Sequence, residues 1–119
     1  MHTILIVDDE PVVRALLTAA LESAGSRLVE AADGSEALEA AWRERPDMVL
    51  LDVGLPKLNG LDVCAALKTN PQPPLVLLMT GNADAIDPDA CGADGIIAKP
   101  FLPLDVLLRV QTELASAAA

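Results

Sequence analysis

The chain has 119 residues, of which 52% are hydrophobic, and this length suits a single domain with one core. Eighteen acidic residues against eight basic ones give a net charge of −10, so we expect no direct binding to nucleic acid. No apolar run approaches the ~20 residues of a membrane span and no secretory signal is recognisable, so we expect a cytoplasmic protein without a membrane segment.

The first half of the chain alternates predicted strands with predicted helices. Short apolar runs predict strands at 3–7, 27–31 and 48–51. Apolar residues at helical spacing predict helices from Pro11 to about Gly25, at 35–45 and at 61–69.

The second half follows the same alternation less evenly. The pattern predicts strands at 75–79 and 95–98 and a last helix at 103–115. The segment 83–91 is predicted to be a fourth helix that is short or irregular, because Pro88 interrupts it. We expect one domain over 1–115, with 116–119 as a tail, a linker stub or a cloning remnant.

Apart from 27–31, the predicted strands are apolar almost throughout, which is typical of a parallel sheet that helices cover on both faces. The chain is therefore predicted to be an α/β protein with a doubly wound, five-stranded parallel sheet. In such sheets functional residues gather at the carboxyl ends of the strands.

Polar residues stand at the ends of four predicted strands. Asp8 and Asp9 follow the first, Asp52 the third, Thr80 the fourth and Lys99 the fifth. Each residue alone has an ordinary explanation, as a helix cap, a turn residue or a surface charge, but their joint placement favours a site. Three converging carboxylates need a counter-charge, and an all-oxygen set suits Mg²⁺. The residue types fit phosphoryl transfer, with Asp52 as the nucleophile.

Four motifs, taken together, resemble the receiver domain of two-component response regulators over essentially the whole chain. They are Asp8-Asp9, Asp52-Val-Gly-Leu-Pro-Lys-Leu-Asn-Gly60, Thr80-Gly81 and Lys99-Pro100-Phe101. The resemblance implies the flavodoxin-like strand order 2-1-3-4-5. It also implies a Mg²⁺ (or Mn²⁺) site with Asp9, Asp52 and the backbone carbonyl of Gly54 as direct ligands and Asp8 acting through water.

The same resemblance implies a signalling domain and not an enzyme. Asp52 would accept a phosphoryl group from a histidine kinase or a phosphotransfer protein, and Thr80 and Lys99 would bind that group. The Lys99–Pro100 peptide bond would be cis. An output partner, or a second copy of the chain, would bind a face formed by the 83–91 segment, the last strand and the last helix.

Two departures from the family leave a second function open. Ile96 stands where receivers usually carry an aromatic switch residue, and the region around 83–91 is shorter than usual. The alternative is a receiver-like interaction module that works without phosphorylation. A phosphatase that uses an aspartyl phosphate would instead need an Asp-x-Asp motif after the first strand, and a flavin-binding protein would need a phosphate loop rich in Ser, Thr and Gly there.

Two further expectations concern apolar residues. The last helix has an apolar arc wider than a core-facing helix needs, so we expect a partner or a dimer contact to cover Val106 and Val110. Cys64 and Cys91 lack CxxC spacing, so we expect neither a redox pair nor a zinc site.

Overall fold

The computed structural model describes residues 1–118, whose five parallel strands form one sheet in the order β2-β1-β3-β4-β5. The strands are β1 (Thr3–Val7), β2 (Arg27–Ala31), β3 (Met48–Asp52), β4 (Leu75–Thr80) and β5 (Gly95–Ala98). The helices are α1 (Pro11–Glu22), α2 (Gly34–Glu44), α3 (Gly60–Leu67) and α4 (Pro103–Ala118). The predicted doubly wound sheet and its strand order are confirmed.

Helix boundaries follow local signals in the sequence. Pro11 occupies the first turn of α1, and Gly25, with φ at 86°, lies just beyond its end. The side chain of Asp33 caps α2 by accepting a hydrogen bond from the Glu36 N–H at 2.9 Å. The last helix continues to Ala118, three residues beyond its predicted end, and Ala119 of the expected tail lies outside the described residues.

Two apolar layers hold the sheet between pairs of helices. Every residue of β3 is buried, as expected of a central strand in a parallel sheet with both faces covered. One layer packs α2 and α3 against one face of the sheet, and the other packs α1 and α4 against the opposite face. Each fully buried Leu or Ile contributes roughly 1.5–3 kcal/mol.

The predicted irregular segment contains two short 3-10 turns in place of a helix. These turns cover Ala83–Ala85 and Pro88–Ala90, and together with the residues around them they form the β4–β5 connection. Pro88 begins the second turn, where a missing N–H is tolerated. The irregularity predicted for 83–91 is therefore confirmed.

The prediction that Val106 and Val110 need a partner to cover them is wrong. They are 1% and 2% exposed, because both belong to the apolar layer between the sheet and α1. The exposed aliphatic side chains of α4 are instead Leu104 and Leu108, which are 62% and 54% exposed, and Leu102 just before the helix is exposed too. Among the described residues, none of the helices combines the length and apolarity required to cross a bilayer.

Candidate functional site

Four predicted site residues meet at one edge of the sheet, where the parallel strands end. Asp8 follows β1 and Asp52 is the last residue of β3, which is the neighbouring strand. Thr80 is the last residue of β4, and Lys99 follows β5. The strand order therefore places side chains that are 91 residues apart in sequence within bonding distance.

Lys99 connects the two buried aspartates. Its Nζ donates a hydrogen bond to Asp8 Oδ2 at 2.8 Å and lies 3.4 Å from Asp52 Oδ1. Burial lowers the pKa of Lys99, but the hydrogen bond to Asp8 and the charge of Asp52 outweigh that effect and raise its pKa above the ordinary value. Lys99 is therefore a permanent cation shared by two carboxylates.

Asp8 is fully buried, and each of its polar groups has a partner. Its Oδ1 accepts a hydrogen bond from the Glu10 N–H at 2.9 Å, and its own N–H donates to the Ala31 carbonyl at 3.2 Å. Its carbonyl oxygen accepts a hydrogen bond from Arg14 Nη1 at 2.6 Å. These contacts fix the first acidic residue of the site, and the role of Arg14 on α1 was not predicted.

Asp52 is 7% exposed and carries a perturbed carboxyl group. Its Oδ1 accepts a hydrogen bond from the Gly54 N–H at 3.2 Å. Burial and, secondly, the nearby charge of Asp8 raise the pKa of Asp52, although Lys99 and the Gly54 N–H oppose the shift. The charged form of Asp52 is thus less stable here than in water, so a further cation would favour it.

The loop after β3 passes very close to the start of α3. A Cβ atom at Gly60 would collide with the carbonyl oxygen of Asp52 and lie 2.7 Å from Val53 Cα. The Gly60 N–H donates to the Val53 carbonyl at 3.0 Å. Glycine at position 60 therefore allows the tight turn that holds Asp52 at the edge of the sheet.

Thr80 is 8% exposed, and both its backbone and its side chain are fixed. Its carbonyl accepts a hydrogen bond from the Lys99 N–H at 2.8 Å, which ties β4 to the residue that follows β5. Its Oγ1 accepts a hydrogen bond from the Asn82 N–H at 3.1 Å. The hydroxyl proton of Thr80 is therefore available for a further acceptor.

A second acidic group extends from the buried site to the surface. Carboxylate oxygens of Asp8, Asp9 and Glu10 lie within 4.8 Å of one another, and the latter two residues are exposed. Asp52 does not join this group directly, since Lys99 links it to Asp8. Glu10 was not among the site residues predicted from the sequence, although its position directly after Asp8-Asp9 could have indicated it.

Comparison with known proteins gives this site a family. The model of the response regulator receiver domain matches residues 4–111. The chain belongs to this family. Its assignment as a receiver, made from four motifs in the sequence, is confirmed, and so is the cis peptide bond between Lys99 and Pro100.

Individual relatives agree with this assignment. The receiver is 44% identical over 115 residues to a Mycobacterium tuberculosis protein described as the probable transcriptional regulatory protein TcrX, and 41% identical over 114 residues to the DNA-binding response regulator MtrA of Mycolicibacterium smegmatis. These alignments cover 94% and 93% of this chain, but 49% and 50% of the relatives. The chain therefore spans about half the length of those relatives.

A solved structure with the same fold is that of the Vibrio cholerae chemotaxis protein CheY4. It superimposes with a TM-score of 0.86 at 32% sequence identity, covering 94% of this chain and 98% of CheY4.

In this receiver, Ile96 on β5 points into the molecule. It is partly buried and packs against the apolar layer on the α2 and α3 side, which Ile86 and Cys91 of the β4–β5 connection also contact. Its carbonyl accepts a hydrogen bond from Arg109 Nη1 of α4 at 3.3 Å. Ile96 therefore lies between the irregular connection and the last helix, although it is not aromatic.

Proposed function

We propose that this receiver accepts a phosphoryl group on Asp52 from a histidine kinase or a phosphotransfer protein, with Mg²⁺ or Mn²⁺, and that phosphorylation changes its affinity for a partner. The observation that carries the proposal is the Lys99 ammonium held between Asp8 and Asp52 at 2.8 and 3.4 Å. A lysine in that place neutralises part of the acidic site and can also hold a phosphoryl oxygen.

The proposed step forms one bond and breaks one. Asp52 Oδ1 already contacts the Gly54 N–H and Lys99, so Oδ2 is the oxygen that attacks phosphorus. As the new O–P bond forms, the P–N bond of the donor phosphohistidine breaks, and the histidine nitrogen keeps the electron pair and takes up a proton. The product is an acyl phosphate on Asp52, whose oxygens Lys99 and the Thr80 hydroxyl would hold.

The acidic residues fit a hard divalent cation. Carboxylate oxygens of Asp8, Asp9 and Glu10 lie within 4.8 Å of one another at a partly exposed edge, and the donor set contains oxygen alone. Asp9, Asp52 and the Gly54 carbonyl are the proposed direct ligands, and Asp8 would act through water. The ion would offset the negative charge that the phosphoryl group brings to the site.

The donor and the output partner also belong to the proposal. Val12 and Leu16 on α1 are 69% and 51% exposed and belong to the helix that follows Asp9, so they offer an apolar surface to a phosphodonor protein. The output partner, or a second copy, would bind at the β4–β5 connection, β5 and α4. The domain extent 1–115, the cytoplasmic location and the absence of enzymatic turnover remain predictions.

The expectation about nucleic acid is restricted to this stretch of chain. MtrA is a DNA-binding response regulator, and this chain spans half of it. The net charge of −10 argues against DNA binding by the receiver itself, but it gives no support for excluding DNA as a partner of a longer protein.

A phosphorylation-independent interaction module is the second candidate. The packing of Ile96 against the apolar layer favours it, because a β-branched side chain there lacks the rotation of a long aromatic switch. The two candidates predict opposite results with a chemical phosphodonor.

Incubation with Mg²⁺ and phosphoramidate, followed by intact-mass spectrometry, tests the proposal. We expect one labile phosphoryl adduct that EDTA prevents and that Asp52→Asn abolishes. Asp84→Asn, which alters an exposed aspartate, should leave the adduct unchanged. If the folded wild-type protein forms no adduct, the interaction module is the better description.

The lifetime of the adduct gives a second readout. A Cβ atom at Gly54 would lie 4.0 Å from Asp52 Oδ1, so glycine leaves this carboxylate accessible to water. We therefore expect rapid hydrolysis, and a half-life of many hours would contradict this view of position 54.

A further inference from the structure

The two cysteines of the chain meet at the contact between α3 and the β4–β5 connection, although 27 residues separate them. Cys64 lies on α3, and its Sγ donates a hydrogen bond to the carbonyl oxygen of Cys91 at 3.4 Å. Cys91 directly follows the second 3-10 turn, and its Sγ lies 3.6 Å from the Pro88 carbonyl oxygen. The Cys64 sulfur thus contacts the backbone of the residue that carries the second thiol.

The two thiols differ in exposure, which gives them different roles in thiol–disulfide exchange. Cys64 is completely buried, whereas Cys91 is partly exposed, and both are free thiols. Burial and, secondly, the neighbouring Cys91 thiol raise the pKa of Cys64 to about 12. Cys91 is therefore the thiol that a reagent in solution can reach, and Cys64 can act only on a sulfur brought to it by Cys91.

Contrary to the expectation from their sequence spacing, and because the fold brings them together, we propose that Cys64 and Cys91 are a redox pair that forms an intramolecular disulfide by exchange with a small disulfide such as oxidised glutathione. The Cys91 thiolate attacks one sulfur of the oxidant, whose S–S bond breaks and releases one glutathione thiol. The Cys64 thiol then gives up its proton as it attacks the Cys91 sulfur of the mixed disulfide, and the second glutathione leaves and takes up a proton. Overall, the two protein thiols are oxidised to a disulfide and oxidised glutathione is reduced to two thiols. The two protons lost by the protein thiols are the two that the glutathione thiols gain.

The disulfide would restrain the connection that follows Thr80. That connection contains only two short 3-10 turns as regular structure. Its Ala93 N–H donates a hydrogen bond to the Pro88 carbonyl at 2.9 Å. Gly92, with φ at 80°, directly follows Cys91 and lets the chain turn there. A covalent link to α3 would therefore hold the Asn82–Ala93 segment against a regular helix of the domain.

Oxidised glutathione tests the proposal directly on the folded protein, with alkylation of remaining thiols and intact-mass spectrometry. Wild-type protein should lose the mass of two hydrogen atoms, resist alkylation, and regain both thiols with dithiothreitol. Cys91→Ser should show no such loss. Ala90→Cys in the Cys91→Ser background moves the thiol to an exposed neighbour, and it should keep a glutathione adduct instead of closing the ring.

Wild-type protein that retains glutathione on Cys91, or that links two chains, would overturn the proposed pairing. Amide hydrogen exchange tests the consequence. The segment 82–93 should take up deuterium more slowly in the oxidised protein than in the reduced one, whereas Cys91→Ser should not respond to the oxidant. Equal exchange in oxidised and reduced wild-type protein would overturn the restraint.

Discussion

Asp52→Asn should stabilise the metal-free protein at neutral pH, although it removes the proposed phosphoacceptor. Asp8 and Asp52 contact the same ammonium at 2.8 and 3.4 Å. Their oxygens therefore lie no more than about 6 Å apart, which gives a repulsion of at least about 3 kcal/mol at an effective dielectric constant of about 20. The attraction between Asp52 and Lys99 is about 5 kcal/mol at the same dielectric constant. The burial of the Asp52 carboxylate opposes this attraction, because burial costs an ion several kcal/mol.

The raised pKa of Asp52 means that burial and repulsion together exceed the attraction to Lys99. Because the charged carboxylate of Asp52 is less favourable in the folded protein than in the unfolded chain, we expect Asp52→Asn to raise the free energy of unfolding at pH 7. Between the ordinary pKa of aspartate and the raised one, the folded protein binds more protons than the unfolded chain. Wild-type stability therefore falls as pH rises through that interval, and the advantage of the variant should vanish as pH falls below about 4.

Urea denaturation at pH 7 in EDTA measures this effect, with Asp84→Asn as the matched control at an exposed position. Mg²⁺ at about ten times its Kd should stabilise the wild-type protein by about 1.4 kcal/mol and the Asp52→Asn variant by less. If Asp52→Asn is no more stable than the wild-type protein in EDTA, the balance of charges derived for this site is wrong.

Lys99→Met should lower the free energy of unfolding by about 3 kcal/mol at pH 7, because it leaves the buried Asp8 carboxylate without its cation. The raised pKa of Lys99 contributes stability that is complete below pH ~10 and is lost as pH rises through the folded-state pKa. The free energy of unfolding, measured by urea denaturation, should therefore fall less steeply with rising alkaline pH in Lys99→Met than in the wild-type protein. Gly60→Ala should cost more than about 2 kcal/mol by the collision with Asp52, whereas Gly81→Ala, with nothing within 4 Å of the new Cβ, should cost far less in the same assay.

The strands and the core of the site could be predicted because both depend on local patterns. Apolar runs that contain no alternating polar residue identify strands covered on both faces, and the polar residues at the ends of four of the five strands mark the functional edge. Asp8, Asp52, Thr80 and Lys99 each stand at such an end, so strand order alone brings them together.

The remaining features depend on contacts between elements, which the sequence pattern does not specify. Val106 and Val110 lie on a wide apolar arc, but the pattern could not say that α1 and the sheet cover both of them. The hydrogen bond from Arg14 to the Asp8 carbonyl needs the first turn of α1 to fold back over β1. The meeting of Cys64 with Cys91 depends on the path of the β4–β5 connection, and their spacing gave no sign of it.

The site of phosphorylation can be measured directly by reducing the phosphorylated protein with borohydride, which converts an aspartyl phosphate into homoserine. The protein is phosphorylated with phosphoramidate and Mg²⁺, reduced, digested and sequenced by mass spectrometry. Our account predicts homoserine at position 52 and at no other aspartate, because Asp52 is the aspartate whose free Oδ2 we propose as the attacking oxygen. Homoserine at Asp8 or Asp9, or none in a folded protein, would contradict it.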